Sequence, residues 1–235
     1  MNKLIEFKNV YRDFEDGENV VHALKETSFT INRGEFIAII GPSGSGKSTL
    51  LTLMGGLQQP SGGEIILNGK PYHDLSQEDL IKFRFTEIGF ILQSSNLVPY
   101  LNLEEQFKLV DRYAKRPHDK EKADSLMDSL GIKKLATSYP TEMSGGERQR
   151  AAVCRALYTE PSLLLADEPT ASLDTEKAFD VIKIISEKTK KNNIAAVMVT
   201  HDRRLLDQVD RVFEVTDGVL KEVDVNDPDV REDED

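Results

Sequence analysis

The chain has 235 residues, 39% of them hydrophobic and 30% charged, with a net charge of -11. That length is enough to bury a sizeable core in one large domain or a domain with a subdomain, and the composition is that of an ordinary soluble globular protein. The body is not basic, which argues against a primary nucleic-acid binder; the single cysteine, Cys154, excludes an intrachain disulfide; and no run approaches the roughly eighteen apolar residues of a membrane span.

The opening MNKLIEFKNV reads as a strand and lacks the apolar core of a signal peptide, so a cytoplasmic location is expected, with any membrane role coming through a partner. LIEFKNV (4–10) and TSFTI (27–31) alternate apolar and polar residues and predict antiparallel strands with one wet face. EFIAII (35–40) is a continuous apolar run that ends at a glycine-rich turn, the pattern of a buried strand feeding a helix. That helix, KSTLLTLMGGL, stops near Gly55 and Gly56. GGEIILNGK (62–70) predicts a further strand, SQEDLIKFRF (76–85) a short helix with a serine N-cap, and IGFIL (88–92) another buried strand.

From about Leu97 to Thr141 helical spacing replaces strand patterns, punctuated by Pro99, Pro117 and Pro140. This stretch predicts an inserted helical subdomain, ending at SGGERQR (144–150) and the helix that follows. SLLLADE (162–168) and AAVMVTH (195–201) are apolar strands ending in polar residues, with the amphipathic EKAFDVIKIISEKTK between them. Strand–helix–strand alternation predicts a parallel sheet with functional residues at the strand C-termini. RVFEVTDG and VLKEV predict late edge strands. The last segment, EVDVNDPDVREDED (222–235), holds eight acids and one arginine; it accounts for -7 of the net charge and is expected to be a solvated, disordered tail.

The chemistry sits at the predicted strand ends. Gly41-Pro42-Ser43-Gly44-Ser45-Gly46-Lys47-Ser48, followed by Thr49, fits G-x-x-x-x-G-K-[ST] between a strand and a helix. Glycines let the backbone wrap a phosphate chain with its N–H groups inward; Lys47 can bridge the β- and γ-phosphates, and the Ser48 hydroxyl can ligate Mg²⁺. The motif says only "nucleoside triphosphate". SLLLADE adds the other half: Asp167 would emerge beside the loop to hold Mg²⁺ through water, and Glu168 would polarise a water for attack on the γ-phosphate. His201 closes its strand where it could meet the γ-phosphate, Gln93 ends IGFIL where its amide could touch Mg²⁺ or the water, and Tyr11 follows the first strand where it could stack on adenine. SGGERQR poses a separate question. Small residues at a helix start suit an anion, yet the chain already has a phosphate loop about a hundred residues earlier.

These motifs, in the order GPSGSGKST, Gln93, MSGGERQR, LLLADEPTASLD and THD, resemble the nucleotide-binding subunit of ATP-binding cassette (ABC) transporters from about residue 3 to residue 222. SGGERQR resembles the family's signature sequence. The resemblance implies an α/β fold: a P-loop NTPase cassette with a mixed β core, an antiparallel β subdomain and an inserted α-helical subdomain. It implies one cassette domain over 1–221, with core 1–93 and 159–221, a helical subdomain at about 94–158, and the tail at 222–235. It also answers the question. Cassettes of this family pair head to tail, so Ser144, Gly145, Gly146 and Glu147 would contact ATP held by a second copy. By the same resemblance Tyr11 is the adenine-stacking aromatic, Gln93 the coupling glutamine, Glu168 the general base and His201 the switch histidine. Asp174 belongs to the loop that links the two sites. Met143 stands where the family usually has leucine, and Glu147 where it usually has glutamine.

FILQSSNLVPYL (90–101), ADEPTASLD and THDRR are similar to a bacterial branch holding the ATPases for lipoprotein release, macrolide efflux, antimicrobial-peptide resistance and haem efflux; QSSNLVPYL with THDRRL looks closest to the haem type. That branch implies an ATPase using ATP and Mg²⁺ at the cytoplasmic face of the membrane. It would be a homodimer bound to an integral-membrane permease that transmits motion, with no nucleic-acid partner. Leu97, Val98, Pro99 and Tyr100 are candidates for the permease contact. A cargo-free regulator in cell division shares the motif set. A small-molecule kinase leaves SGGERQR and Asp174 unexplained.

Overall fold

The computed structural model describes residues 3–17, 19–227 and 230. Among them two sheets form. The first is antiparallel: β1 (Lys3–Asp16), β2 (Asn19–Asn32), β4 (Gly62–Leu67) and β5 (Lys70–Pro71), in the order β2-β1-β4-β5. The hairpin β1–β2 is twice as long as the alternating runs predict, because cross-strand pairing continues through the polar residues to its tip. The second sheet runs β10-β9-β3-β8-β7-β6. In it β3 (Phe36–Ile40), β6 (Ile88–Ile91), β7 (Leu163–Asp167), β8 (Ala195–Val199) and β9 (Arg211–Thr216) are parallel, and β10 (Val219–Val223) is antiparallel to β9. Only one of the two predicted late edge strands is an edge. β9 pairs with β3 on one side and β10 on the other, and it buries Val212, Phe213 and Val215.

The unbroken apolar runs of the central strands follow from cover on both faces. Phe36, Ala38 and Ile40 of β3 enter one apolar cluster, while Ile37 and Ile39 enter the other; Leu164 and Ala166 against Leu163 and Leu165 divide β7 in the same way. One face is covered by the antiparallel sheet, α1 (Lys47–Met54) and α2 (Gln77–Glu87). The other is covered by α5 (Gly145–Tyr158) and α6 (Thr175–Lys191), with α3 (Leu103–Tyr113) and α4 (Lys120–Ser129) beyond. The expected serine cap on α2 is present, Ser76 accepting from the Asp79 N–H.

The helical segment is pinned by a buried charge. Asp111 of α3, 2% exposed, accepts from Tyr158 Oη of α5 at 2.6 Å and from Arg116 Nε at 2.7 Å, and lies 2.8 Å from His118 Nδ1. Burial alone would raise this carboxyl, but the hydrogen bonds from Tyr158, Arg116 and His118 outweigh it and hold it below its ordinary value.

The acidic segment departs from the expected disordered tail. Glu222 and Val223 belong to β10, Val223 and Val225 pack against the larger apolar cluster, and Val230 is buried within it. Valines spaced among the acids supply the apolar surface that holds these residues down. Residues 228, 229 and 231–235 lie outside the described residues.

Candidate active site

Parallel pairing in the order β3-β8-β7 brings three strand C-termini together: Ile39 and Asp167 both register against Val199. The three exits are the glycine loop after Ile40, Thr200-His201, and Asp167-Glu168. They share a cleft of about 750 Å³ lined by Gly41, Ser43 through Thr49, Gln93, Asp167, Glu168 and His201, with Val21, His22 and Ala23 across from the loop.

The loop glycines are required by space as well as by backbone. Gly41 has φ 135°, and a Cβ there would lie 2.1 Å from the Val215 carbonyl oxygen; Gly46, at φ 111°, would meet that of Ala23 at 2.2 Å. Gly46 is the N-cap of α1, so the first N–H groups of that helix face the cleft. Ser45 is buried and its hydroxyl has no hydrogen-bond partner among the described residues, an unmet polar atom in a loop that fits an anion. The Lys47 ammonium donates to the carbonyls of Gly41 and Pro42, both at 2.6 Å, folded over its own loop. Pro42 lines an adjoining cavity of about 460 Å³ with Ser43 and residues 200–204.

The Ser48 hydroxyl lies 3.4 Å from Asp167 Oδ2, giving two hard oxygen donors at the loop. Burial pushes the Asp167 carboxyl above its ordinary value; the Ser48 hydrogen bond and the Lys47 charge pull the other way without cancelling it. Glu168 sits at φ 50°, a left-handed backbone that costs a non-glycine residue free energy, and its N–H is tied to the Val199 carbonyl at 3.0 Å. Its Oε1 lies 2.9 Å from His201 Nδ1, while the His201 side chain is 76% exposed. Gln93, also exposed, lines the same cleft.

Tyr11 is not brought to this cleft. It pairs with Gly62 on β4, and its ring lies so close that a Cβ on Gly62 would meet it at 2.3 Å. Phe14 stands opposite Val21, which lines the cleft, and carries the Arg12 guanidinium 4.5 Å over its ring. Register shifts in β1 between Phe7 and Asp13 change which residues share a face, so Tyr11, the ring expected on adenine, lies over Gly62 instead.

Ser144, Gly145, Gly146 and Glu147 also stand away from the cleft. Ser144 is the N-cap of α5: its hydroxyl accepts from the Glu147 N–H at 3.3 Å, and Glu147 Oε2 accepts from the Ser144 N–H at 2.9 Å. Hydrogen bonds from the Ser144 backbone and side chain hold the Glu147 carboxyl below its ordinary value. Gly145 and Gly146 face Ser172 and Leu173, with a Cβ on Gly146 placed 3.1 Å from Leu173 Cδ2. Asp174 caps α6, accepting from the Lys177 N–H at 3.0 Å, and pairs with the Lys177 ammonium.

Residues 24–171 match the family described as ABC transporter. The chain belongs to that family. It is an ATP-binding cassette, the subunit whose ATP hydrolysis is coupled to transport. A curated relative from Staphylococcus haemolyticus (strain JCSC1435), the putative hemin import ATP-binding protein HrtA, is 42% identical over 219 residues, spanning 92% of this chain and 99% of the relative. The protein of the same name from Staphylococcus aureus (strain MRSA252) is 40% identical over 215 residues, 91% of this chain and 97% of that one. Among solved structures, the ABC cassette MJ0796 in its dimeric post-hydrolysis state with ADP and Pi has a TM-score of 0.88 and 32% identity, covering 95% of this chain and 100% of that one. A second dimeric structure of MJ0796, described as a bacterial ABC transporter cassette, gives the same figures. Among the described residues no helix of this cassette is long and apolar enough to cross a membrane.

Proposed function

We propose that two copies of this cassette close head to tail on two ATP molecules at the cytoplasmic face of the membrane and drive a permease that exports haem by transmitting motion. The observation that carries the reading is the separation of the two anion-facing helix ends within one chain. α1 opens onto the cleft, while the Ser144 end of α5 is outside it and beside Ser172 and Leu173. Each chain then supplies half of two shared sites. The dimeric cassettes it resembles support the pairing, and the relatives named for hemin support the cargo. Those relatives are named for import; the outward direction rests on the resemblance of FILQSSNLVPYL and THDRR to efflux ATPases.

In the proposed reaction the loop N–H groups and Lys47 hold the β- and γ-phosphates. Glu168 accepts a proton from a water as its oxygen attacks the γ-phosphorus, and the bond to the β-phosphate oxygen breaks, releasing ADP and phosphate. His201 holds the Glu168 carboxylate in place. Ser48 and Asp167, with Gln93, would hold a Mg²⁺ ion, which would supply positive charge against the charge developing in phosphoryl transfer. Phe14 takes the adenine-stacking role expected of Tyr11. Contacts of Ser144 and Gly146 to the γ-phosphate are made with ATP and lost with ADP, which biases the dimer between closed and open.

Exposed apolar residues on α2, on α3 and around Tyr100, with Leu57, support a permease face. Tyr100 is 77% exposed, Tyr113 66%, Ile81 55% and Leu57 51%. Tyr113 stacks on Phe85 at 4.9 Å, linking α3 to α2.

The test is capture from native membranes of the Glu168→Gln protein held with ATP and Mg²⁺. A co-purifying permease with few membrane helices and a large outer domain is expected. Cell-division proteins or a peptidoglycan hydrolase in its place would replace transport with regulation. Haem retained by cells lacking the gene would support export, and haem depleted in them would reverse the direction.

A further inference from the structure

Gln149 of α5 is a buried polar side chain that the proposed reaction leaves unused. It is 2% exposed, and its amide nitrogen has no hydrogen-bond partner among the described residues. A donor kept from water with nothing to bond costs the fold free energy, which points to a partner in another state of the protein. Gln149 lies one helical turn after Gly146, so the two positions are neighbours on one side of α5. Side chains on a helix lean toward its N-terminus, which carries the Gln149 amide back over the Gly146 turn.

That turn faces the loop between β7 and α6. A Cβ on Gly146 would lie 3.1 Å from Leu173 Cδ2 and 3.3 Å from the Ser172 carbonyl oxygen, and one on Gly145 would meet Ser172 Cβ at 3.6 Å. With no side chain at 146, the way stays open between Gln149 and that carbonyl. The loop is tied to Glu168 by its own turns: the Ala171 N–H donates to the Glu168 carbonyl at 3.3 Å, and the Leu173 N–H to the Thr170 carbonyl at 2.9 Å. No backbone N–H among the described residues donates to the Ser172 carbonyl. An unpaired donor and an acceptor without a backbone partner therefore stand on the two sides of the contact between α5 and the loop.

We propose that Gln149 is a positioning residue: when two copies close on ATP, its amide donates to the Ser172 carbonyl and locks the loop that follows Glu168 to the helix that begins at Ser144. The proposal rests on the head-to-tail reading above. In that arrangement the Ser144 end of a chain meets its partner's ATP, while Glu168 serves the ATP on its own chain. One hydrogen bond between Gln149 and the loop thus links the partner's γ-phosphate to the base of the chain's own site. With ADP the Ser144 end has no γ-phosphate to hold it, and the amide stays unpaired. Since the bond belongs to the closed pair alone, it biases pairing and leaves nucleotide binding by a single chain untouched.

The test compares Glu168→Gln with Glu168→Gln carrying Gln149→Leu, a side chain of similar size without the donor. The melting temperature of the nucleotide-free monomer should stay level or rise, because an unpaired buried donor is gone. Affinity for ADP, read by calorimetry, should not change. The dimer dissociation constant at saturating ATP and Mg²⁺, read by sedimentation equilibrium, should rise roughly ten- to a hundredfold, since each pair loses two hydrogen bonds. Equal dissociation constants would overturn the lock. A lower melting temperature together with weaker pairing would mark a packing role and overturn it too. A second measurement leaves residue 149 as it is. In Glu168→Gln labelled with ¹⁵N-glutamine, one side-chain amide proton of Gln149 should move downfield with ATP and not with ADP. No such shift would overturn the hydrogen bond, and this resonance decides alone if Gln149→Leu does not fold. If Glu168→Gln stays monomeric with ATP whatever stands at 149, the head-to-tail reading fails and the lock falls with it. If it pairs and Gln149→Leu pairs equally well, only the lock falls.

Discussion

The Glu168 carboxylate and the His201 imidazole meet at 2.9 Å across the ends of the neighbouring parallel strands β7 and β8. Glu168 reaches that position through a left-handed backbone at φ 50°, held by its N–H bond to Val199. Strain kept at one residue beside a phosphate loop fits the general-base role proposed for Glu168. Glu168→Gln is expected to bind ATP as the native protein does while hydrolysis falls about 10²- to 10⁴-fold. Phosphate release in the steady state is the measurement, and turnover near the native rate would remove Glu168 from the role of base.

Lys47 donates to two carbonyls of its own loop, so its ammonium is already turned toward the place where phosphates bind. Lys47→Ala removes a charge-assisted contact worth about 1.5–3 kcal/mol, or roughly ten- to a hundredfold in affinity. Calorimetric titration with ATP and Mg²⁺ should show that loss. An unchanged dissociation constant would mean that the backbone N–H groups alone hold the nucleotide.

Asp167 gives a stability prediction with a defined sign. Burial raises its carboxyl above the ordinary value in the folded chain, so the folded state binds that proton more tightly than the unfolded state. Its ionisation therefore costs stability as pH rises through the interval between the unfolded and folded values, and at neutral pH the cost is present in full. Asp167→Asn should melt about 2 °C higher than the native protein without nucleotide and metal, and the gain should disappear on acidification. The same variant should lose most Mg²⁺-dependent hydrolysis. A lower melting temperature would show that the Ser48 hydrogen bond matters more than the burial.

Phe14 and Tyr11 separate binding from packing. Phe14 stands opposite the cleft-lining Val21, while Tyr11 lies over Gly62. Phe14→Ala should weaken ATP binding about three- to tenfold, a stacking contribution of roughly 1 kcal/mol, with little change in melting. Tyr11→Ala should lower stability by about 1–3 kcal/mol and leave ATP affinity unchanged. The reverse pattern in fluorescence titration with a nucleotide analogue would restore Tyr11 to the adenine.

Much of the site was legible because its motifs are local. A glycine loop between a strand and a helix has to turn at Gly41 and Gly46, and apolar runs ending in Asp167-Glu168 and His201 have to leave polar groups at strand ends. Tyr11 was misread for a non-local reason: register shifts in β1 depend on pairing with β2 and β4 and leave no mark in the spacing of the residues themselves. The acidic segment was misread for a similar one. Its charge predicts solvation, but Val223, Val225 and Val230 find a partner surface on elements formed far earlier in the chain.

By itself, then, the sequence determined the family, the order of elements and which polar residues end the central strands, since each depends on chemistry within a few neighbouring residues. Only the tertiary structure decided the strand order that brings Asp167, Glu168 and His201 to one cleft, and the exclusion of Ser144 from it. It also decided which ring of the hairpin stands opposite Val21 and the return of Val230 to the core. Those are contacts between segments tens to hundreds of residues apart, fixed by which apolar faces can be buried against each other at once.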